Sequence, residues 1–219
     1  MTYKLGVLGG MGTLASLVFY EKLYKNTRAK KDQDHIDAVI LNHASLPDRT
    51  REILEKRGEF LKEVREDFEI FNSIGVDYIA ITCNTSHYFL EEMKKMTRAE
   101  IINMPLEALK EAAKRGKDIT FFGTLGSIEG RVYKRYENEL GLKINYPDKK
   151  DQDTLMDIIY RVKSDGKRHF SEFDKLLEKY GKDTTVITGC TELSVLDYKD
   201  AVDAMDVLVG VCLRKCGKL

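Results

Sequence analysis

Residues 8–23 read LGGMGTLASLVFYEKL, and residues 122–140 read FGTLGSIEGRVYKRYENEL. Gly12 is followed by an apolar pair at positions 18 and 19, and Gly126 is followed at the same offset by a pair at 132 and 133. Each half then has an apolar run leading to a cysteine, Cys83 at 71 residues after Gly12 and Cys190 at 64 residues after Gly126. Two matched features in the same order indicate a duplicated unit, or two domains of like topology.

Apolar and β-branched runs predict six buried strands, at residues 3–8, 36–42, 78–83, 119–123, 142–146 and 185–189. Helical patterns lie between most of them, with apolar stripes within residues 60–71, 155–162 and 170–180. Strands that alternate with helices are typical of α/β proteins, whose sheets are parallel. The sequence therefore predicts an α/β fold with parallel sheets and no flexible linker between its halves.

Composition excludes several classes of partner. The chain of 219 residues has 36 basic and 36 acidic side chains, so no net field attracts nucleic acid or an anionic membrane. No apolar run reaches the roughly 20 residues of a membrane span, and the first residues enter a strand pattern without a signal peptide. We therefore expect a cytoplasmic protein with a small-molecule ligand, and its four cysteines are expected to be free thiols.

The glycine turn has the minimal dinucleotide pattern G-x-G-x-x-A, formed by Gly10, Gly12 and Ala15. That pattern requires an acidic residue at the end of the second strand to bind the ribose, but Asn42 and His43 stand there. The turn is interpreted instead as a tight connection whose amides face the sheet crevice, or as an anion site for a small carboxylate. A nicotinamide-dependent dehydrogenase remains a competing interpretation.

Cys83 and Cys190 are predicted at the carboxyl ends of buried strands, where crevices form and the pKa of a thiol is lowered. Each is followed by a threonine, Thr85 or Thr191, which is expected to hold a substrate carboxylate or to cap the next helix. A single buried cysteine is often only a small core residue. Their matched places in the two halves favour a shared function.

The other two cysteines lie on the apolar stripe of the last helical segment. Cys212 and Cys216 share that stripe with Met205, Leu208 and Val209, which predicts that they fill the core. No histidine or second cysteine pair stands at zinc-binding spacing, so the sequence predicts no metal site.

Two thiols on matched strands would meet opposite faces of a small molecule placed between them. Inverting an amino acid requires removal of the α-proton from one face and return of a proton to the other. One thiolate and one thiol in mirrored positions suit this reaction, and it needs no redox cofactor.

The motifs GGMG, KDQDH, PDRT, CNTSH and GCTE occur in that order along about nine tenths of the chain. Together they resemble the aspartate/glutamate racemase family, most closely its cofactor-independent aspartate racemases. The resemblance implies two Rossmann-like domains, related by a pseudo-two-fold axis, with the active site between them. We assign residues 1–104 and the C-terminal helix 205–219 to the first domain and residues 105–204 to the second. The resemblance also implies a homodimer that acts on an amino acid without a cofactor.

The same resemblance assigns roles to individual residues. Cys83 and Cys190 match the two catalytic bases, Arg49 of PDRT matches a residue that binds a substrate carboxylate, and Lys163 matches a lysine that closes over the distal carboxylate. A planar guanidinium suits a dicarboxylic substrate because it binds carboxylates through two parallel hydrogen bonds. The other predicted substrate-binding residues are Met11, Asn84, Thr85, Ser86, Thr124 and Thr191. His87, four residues after Cys83, is expected to be a capping or core histidine.

The sequence departs from the family pattern at Thr13, Ser16 and His43. Thr13 replaces a proline that stiffens the first turn, and His43 replaces an asparagine near the predicted pocket, which affects the expected substrate choice and pH profile. The leading prediction is racemisation of aspartate or glutamate. Alternatives are a related two-cysteine enzyme, such as a hydantoin racemase or maleate isomerase, and a non-catalytic amino-acid-binding protein.

Overall fold

The computed structural model describes residues 4–196, 198 and 200–219. The strands are Leu5–Gly9 (β1), Ala38–Asn42 (β2), Tyr78–Ile81 (β3), Glu100–Ile101 (β4), Asp118–Phe122 (β5), Lys143–Asn145 (β6), Thr185–Thr188 (β7) and Val202–Asp203 (β8). The α-helices are Thr13–Asn26 (α1), Arg49–Glu55 (α2), Glu59–Ile74 (α3), Leu90–Lys94 (α4), Met104–Ala112 (α5), Leu125–Glu129 (α6), Glu137–Leu140 (α7), Lys149–Asp165 (α8), Ser171–Gly181 (α9) and Ala204–Lys215 (α10). Within the described ranges, no helix is long and apolar enough to cross a membrane.

The strands form two parallel sheets of the same topology. Their orders are β2-β1-β3-β4 and β6-β5-β7-β8, so each half places its first and third strands at the centre and its second strand at one edge. This confirms the predicted α/β fold with two Rossmann-like halves. All six predicted strands form, although Tyr3 of the first lies outside the described residues. The sequence did not predict β4 and β8, because two-residue strands are too short to show a pattern.

The three predicted apolar stripes lie on α3, α8 and α9, and they face the core. Phe60, Phe68 and Phe71 of α3 are fully buried, because spacings of eight and three positions place them on one side of the helix. Cys212 of α10 is fully buried and Cys216 is half-buried, as expected for core residues.

One core cluster is continuous across both halves, joining Leu5 and Phe19 to Phe121 and Ile187. The C-terminal helix α10 packs on α1, α5 and β3. Lys22 of α1 also binds the carboxylates that begin this helix, Asp203 at 3.0 Å and Asp206 at 2.6 Å. Because α1 and β3 lie in the predicted first domain and α5 in the predicted second, α10 contacts both, and the whole domain division stays a prediction.

The glycine turn after β1 is shaped by two close contacts. Gly10 has φ +89°, and a Cβ there would lie 2.4 Å from the carbonyl carbon of His43. Ser16 closes the turn, because its hydroxyl donates to the Gly12 carbonyl at 2.9 Å and accepts from the Gly10 amide at 3.0 Å. The same hydroxyl bonds Thr82 Oγ1 at 3.0 Å. Ser16 therefore ties the turn to the end of β3.

Gly10→Ala is expected to destabilise the protein more than Gly58→Ala does. Gly58 also has a positive φ, +78°, but no atom lies within 4 Å of a Cβ placed there. Gly58→Ala therefore costs only backbone strain, about 1 kcal/mol, whereas Gly10→Ala adds steric overlap worth about 1 kcal/mol or more. Urea denaturation of both variants measures the difference, and equal free energies of unfolding would contradict the close packing at Gly10.

Candidate functional site

A crevice lies where the central strands of both sheets end. The crevice is narrow, since only about 20 Å³ of it admits the centre of a water-sized sphere. Its walls come from the segments after β1, β3, β5 and β7, together with α2 and α8, and the residues that line it are Met11, Asp48, Arg49, Thr50, Cys83, Asn84, Thr85, Thr124, Met156, Ile159, Tyr160, Lys163, Cys190, Thr191 and Glu192. Parallel α/β sheets bind ligands outside the carboxyl ends of their strands, so this is the expected position for a site.

Cys83 and Cys190 both line this crevice. Each stands two residues beyond the third strand of its half, β3 or β7, and each is about 5% exposed. Because the two sheets have the same strand order, equivalent positions on β3 and β7 are brought to a common cleft. The structure thus brings together the two cysteines that the internal repeat singled out.

Cys190 is hydrogen-bonded to an acidic residue that the sequence analysis missed. Its thiol donates to Glu192 Oε2 at 2.9 Å. Burial raises the pKa of Cys190 well above its ordinary value, the negative charge of Glu192 raises it further, and Lys163 opposes the shift. Cys190 is therefore held as a thiol, and the lowered thiol pKa expected from its place at a strand end is wrong for this cysteine because burial and Glu192 dominate. The available signal for Glu192 was its place in the motif GCTE, two residues after the cysteine.

Lys163 extends from the last turns of α8 towards both thiols. Its ammonium lies 3.5 Å from Glu192 Oε1, and its side chain is 30% exposed. Burial lowers the pKa of Lys163, but the negative groups Glu192, Cys190 and Cys83 outweigh it and raise the pKa overall. Lys163 therefore stays charged beside the two cysteines.

One face of α8 forms an apolar part of the wall. Met156, Ile159 and Tyr160 precede Lys163 at helical spacing, and all four line the crevice. Gln152 ties the helix to the end of β5, because its side-chain amide donates to the Gly123 carbonyl at 2.8 Å. The helix thus carries one cation and three apolar side chains to the site.

Arg49 begins α2 and is 8% exposed. Its guanidinium donates to the carbonyls of Leu46 at 3.0 Å, Pro47 at 2.7 Å and Met11 at 3.3 Å. Among the residues that the structure describes, its Nε finds no acceptor. The side chain is therefore fixed by backbone oxygens, and a positive charge with an unused donor lines the crevice.

Three hydroxyl groups join the two halves at the base of the crevice. Thr85 Oγ1 lies 2.9 Å from Thr124 Oγ1 and 3.1 Å from Ser127 Oγ. Thr191 crosses the boundary too, as its hydroxyl donates to the Thr82 carbonyl at 3.1 Å. Neither Thr85 nor Thr191 makes the predicted helix cap, whereas Thr124 does, by accepting from the Ser127 amide at 3.1 Å. These hydroxyls are used mainly to hold the halves together.

Asn84 and Ser86 differ in position despite their adjacent places in CNTSH. Asn84 lines the crevice, and its Nδ2 has no acceptor among the described residues. Ser86 does not reach the crevice wall, since its hydroxyl donates to the Cys83 carbonyl at 2.7 Å in the interior. The family resemblance gives Ser86 a role through the backbone amides of its loop, and that role stays a prediction.

The two histidines near the predicted site lie outside the crevice wall. His87 Nδ1 lies 2.9 Å from the Cys83 carbonyl oxygen and Nε2 lies 3.4 Å from that of Ile102. Burial lowers the pKa of His87 to about 4, so the ring is neutral and donates to one of these two oxygens. His43 pairs with Asp67 of α3, with Nδ1 to Oδ2 at 2.8 Å. The expectation that His43 stands near the pocket and alters substrate choice is not supported by this position, because its ring is directed to α3.

The start of α1 lines a second, more open groove next to the crevice. Met11, Arg49, Lys163 and Glu192 form the partition that the two spaces share. Gly12 permits this arrangement, since a Cβ there would lie 2.7 Å from Glu192 Oε1. Within residues 4–196, 198 and 200–219, no three histidine, cysteine or acidic side chains are grouped to hold a metal ion.

Comparison with known proteins places this chain among racemases. A sequence model of a family described as Asp/Glu/hydantoin racemase matches residues 8–211. The broad specificity amino-acid racemase RacX of Bacillus subtilis (strain 168) is 24% identical over 202 residues, covering 89% of this chain and 88% of that protein. Picrophilus torridus aspartate racemase has the same fold, with a TM-score of 0.85 at 24% identity over 99% of this chain and 95% of the other. An aspartate racemase homologue from Pyrococcus horikoshii OT3 has a TM-score of 0.78 at 20% identity, over 99% of this chain and 100% of the other.

Proposed function

Because the chain belongs to the Asp/Glu/hydantoin racemase family, we propose that it interconverts the enantiomers of an acidic amino acid, aspartate first and glutamate second. Membership makes it an amino-acid racemase, which is an isomerase. The observation that carries the proposal is that Cys83 and Cys190, at equivalent ends of β3 and β7, line one crevice. No cofactor enters the proposed reaction.

In the proposed reaction the two thiols exchange roles. The Cys83 thiolate removes the α-proton of one enantiomer, and the Cys190 thiol gives a proton to the opposite face of the α-carbon. The reaction leaves a Cys83 thiol and a Cys190 thiolate, which is the starting state for the other enantiomer. The hydrogen bond from Cys190 to Glu192 supports this order, because it keeps a proton on Cys190 before substrate reacts.

The charges around the crevice support an amino-acid substrate that carries an additional carboxylate. Arg49 and Lys163 offer two cations, and Glu192, whose Oε1 is paired with the Lys163 ammonium at 3.5 Å, adds a carboxylate that attracts a substrate ammonium group. A hydantoin has neither a free carboxylate nor an ammonium group, and maleate has no ammonium group. The two cations and the Glu192 carboxylate therefore favour aspartate or glutamate over both alternatives.

Deuterium exchange tests the proposed function. In heavy water, each enantiomer of aspartate and glutamate is expected to gain deuterium at the α-carbon and to lose optical activity in the presence of the protein. The α-proton signal in the NMR spectrum and circular dichroism follow the two processes. A protein that binds these amino acids without exchanging their α-protons is a binding protein rather than a racemase.

We expect the alkaline limb of the pH profile to depend on Glu192 and Lys163 in opposite directions. Catalysis needs a proton on one thiol, so activity falls as pH rises through the pKa of Cys190, which burial and Glu192 raise. Glu192→Gln removes the negative charge, lowers the pKa of Cys190 and moves the limb to lower pH. Lys163→Met removes an opposing positive charge and moves it to higher pH.

The measurement is kcat/KM for aspartate from pH 6 to 11 in the wild type and the two variants. The equilibrium constant of racemisation is one, so both enantiomers must give the same profile. The substrate ammonium group titrates identically in all three proteins and does not affect the comparison. Coincident alkaline limbs in the three proteins would contradict the placement of Glu192 and Lys163 around Cys190.

We further propose that the chain forms a homodimer and acts in the cytoplasm, as the sequence analysis expects. An exposed apolar stripe on α1 supports self-association: Leu17 is 63% exposed, Tyr20 48% and Tyr24 61%. Large apolar side chains exposed on one helix face commonly mark a contact surface. Sedimentation at the mass of a single 25.1 kDa chain over the whole concentration range would rule the dimer out.

A further inference from the structure

Tyr133 makes a hydrogen bond to the active-site loop from the other half of the molecule. Its hydroxyl donates to Asn84 Oδ1 at 2.5 Å, and both side chains are buried, with 1% and 2% of their surface exposed. Tyr133 follows α6 in the second half, whereas Asn84 follows Cys83 in the first. Tyr133 itself lies behind Asn84 rather than in the crevice wall.

Packing fixes the ring of Tyr133 independently of its hydroxyl. The ring lies against Phe121 of β5, with centroids 4.4 Å apart. In the internal repeat, position 133 corresponds to Phe19, which is fully buried in the first half without a hydroxyl. Because phenylalanine fills the equivalent place, packing alone does not require a tyrosine. The hydroxyl group that distinguishes Tyr133 from Phe19 donates a hydrogen bond to Asn84.

The bond fixes one end of the Asn84 side-chain amide. Tyr133 occupies Oδ1, and Nδ2 is left buried without an acceptor among the described residues. A buried donor without a partner is destabilising, and a ligand oxygen that accepts from it removes that cost. Burial raises the pKa of Tyr133, so its hydroxyl keeps its proton and remains a donor.

We infer that Tyr133 is a positioning residue, which holds the Asn84 amide so that Nδ2 donates to a carboxylate oxygen of the amino-acid substrate. This inference rests on the proposed function. In this role, Tyr133 gives the second half of the molecule a part in substrate binding at the Asn84 loop of the first half. Because the hydrogen bond joins the two halves, it holds the Asn84 donor in place only when the halves are packed correctly against each other.

Tyr133→Phe tests the inference, with Tyr136→Phe as a matched control. Tyr136 Oη also bonds an asparagine, accepting from Asn103 Nδ2 at 2.8 Å, but away from the crevice. Tyr133→Phe is expected to raise KM for aspartate about ten-fold, the effect of losing one oriented hydrogen bond. Tyr136→Phe is expected to leave KM unchanged. The melting temperatures of the two variants should fall by similar amounts.

A double-mutant cycle shows whether Tyr133 acts through Asn84. When Asn84 is already alanine, Tyr133→Phe should change KM less than about two-fold, because the amide that it positions is gone. A ten-fold increase in both backgrounds, or an unchanged KM in Tyr133→Phe, overturns the inference.

A spectroscopic measurement separates this inference from the proposed function. The side-chain NH₂ signals of Asn84, identified by their loss in Asn84→Ala, should shift or broaden in Tyr133→Phe and stay unchanged in Tyr136→Phe. If these signals are the same in the wild type, Tyr133→Phe and Tyr136→Phe, the positioning role is refuted even where the wild type racemises aspartate. Conversely, shifted signals with no α-proton exchange in the wild type support the positioning role and refute the racemase proposal.

Discussion

Racemisation of aspartate is expected to fall at least about 1,000-fold in Cys83→Ser and in Cys190→Ser, because inversion needs a thiol group on each face of the α-carbon. A serine hydroxyl is too weakly acidic to replace either group. The α-proton of one enantiomer should nevertheless still exchange in each variant, since its removal needs only the thiolate on the correct face. The two variants should retain exchange for opposite enantiomers.

The structure adds a pH dependence to this expectation. In Cys83→Ser the remaining base is Cys190, whose pKa is raised by burial and by Glu192. Because a base acts only when deprotonated, exchange by this variant should increase as pH rises above the ordinary range of a cysteine. Partial rather than full exchange is expected, since each thiol depends on its partner for the correct protonation state.

The measurement is loss of the α-proton NMR signal of each aspartate enantiomer in heavy water, with purified single variants. Cys216→Ser is the control, because this half-buried cysteine directly follows α10 and does not line the crevice. Racemisation at the wild-type rate by either variant would show that the two-base mechanism is wrong for this protein.

Arg49→Ala is expected to lower kcat/KM for aspartate by about 30-fold or more, equivalent to about 2 kcal/mol, the range for truncating one partner of a buried charge pair. The guanidinium is almost fully buried and held by three carbonyls, so its removal leaves these oxygens and the substrate carboxylate without their donor. Arg49→Lys should recover little, because an ammonium cannot bind these carbonyls in the same planar arrangement.

Arg51→Ala provides the matched control, since Arg51 lies on the same helix but is exposed to solvent. Melting temperatures separate loss of binding from loss of the loop that Arg49 organises. A larger effect on aspartate than on alanine assigns Arg49 to the side-chain carboxylate, and equal effects assign it to the α-carboxylate. Unchanged catalytic efficiency would refute any contact of Arg49 with substrate.

The sequence alone was sufficient for the fold and for the two cysteines. Strand patterns are local, because burial on both faces requires continuous apolar runs, and these predicted all six longer strands. The repeat located Cys83 and Cys190 at matching strand ends, and identical sheet orders then require these ends to be equivalent. Arg49 and Lys163 were identified only through the family resemblance, since a charged residue near a helix end is ordinarily exposed.

Tertiary structure alone decided how the remaining polar groups are used. Glu192 bonds Cys190, the hydroxyls of Thr85 and Thr124 bond each other, and Tyr133 orients Asn84 across the two halves. These partners are far apart in sequence or need a particular side-chain direction, and hydrogen bonds depend on distances of a few tenths of an ångström. The periodicity of a sequence predicts which face of a helix or strand is buried. It does not predict which group of another element contacts that face. The sequence therefore determined where the crevice forms, and only the packing of one half on the other determined which donors and acceptors remain free in it.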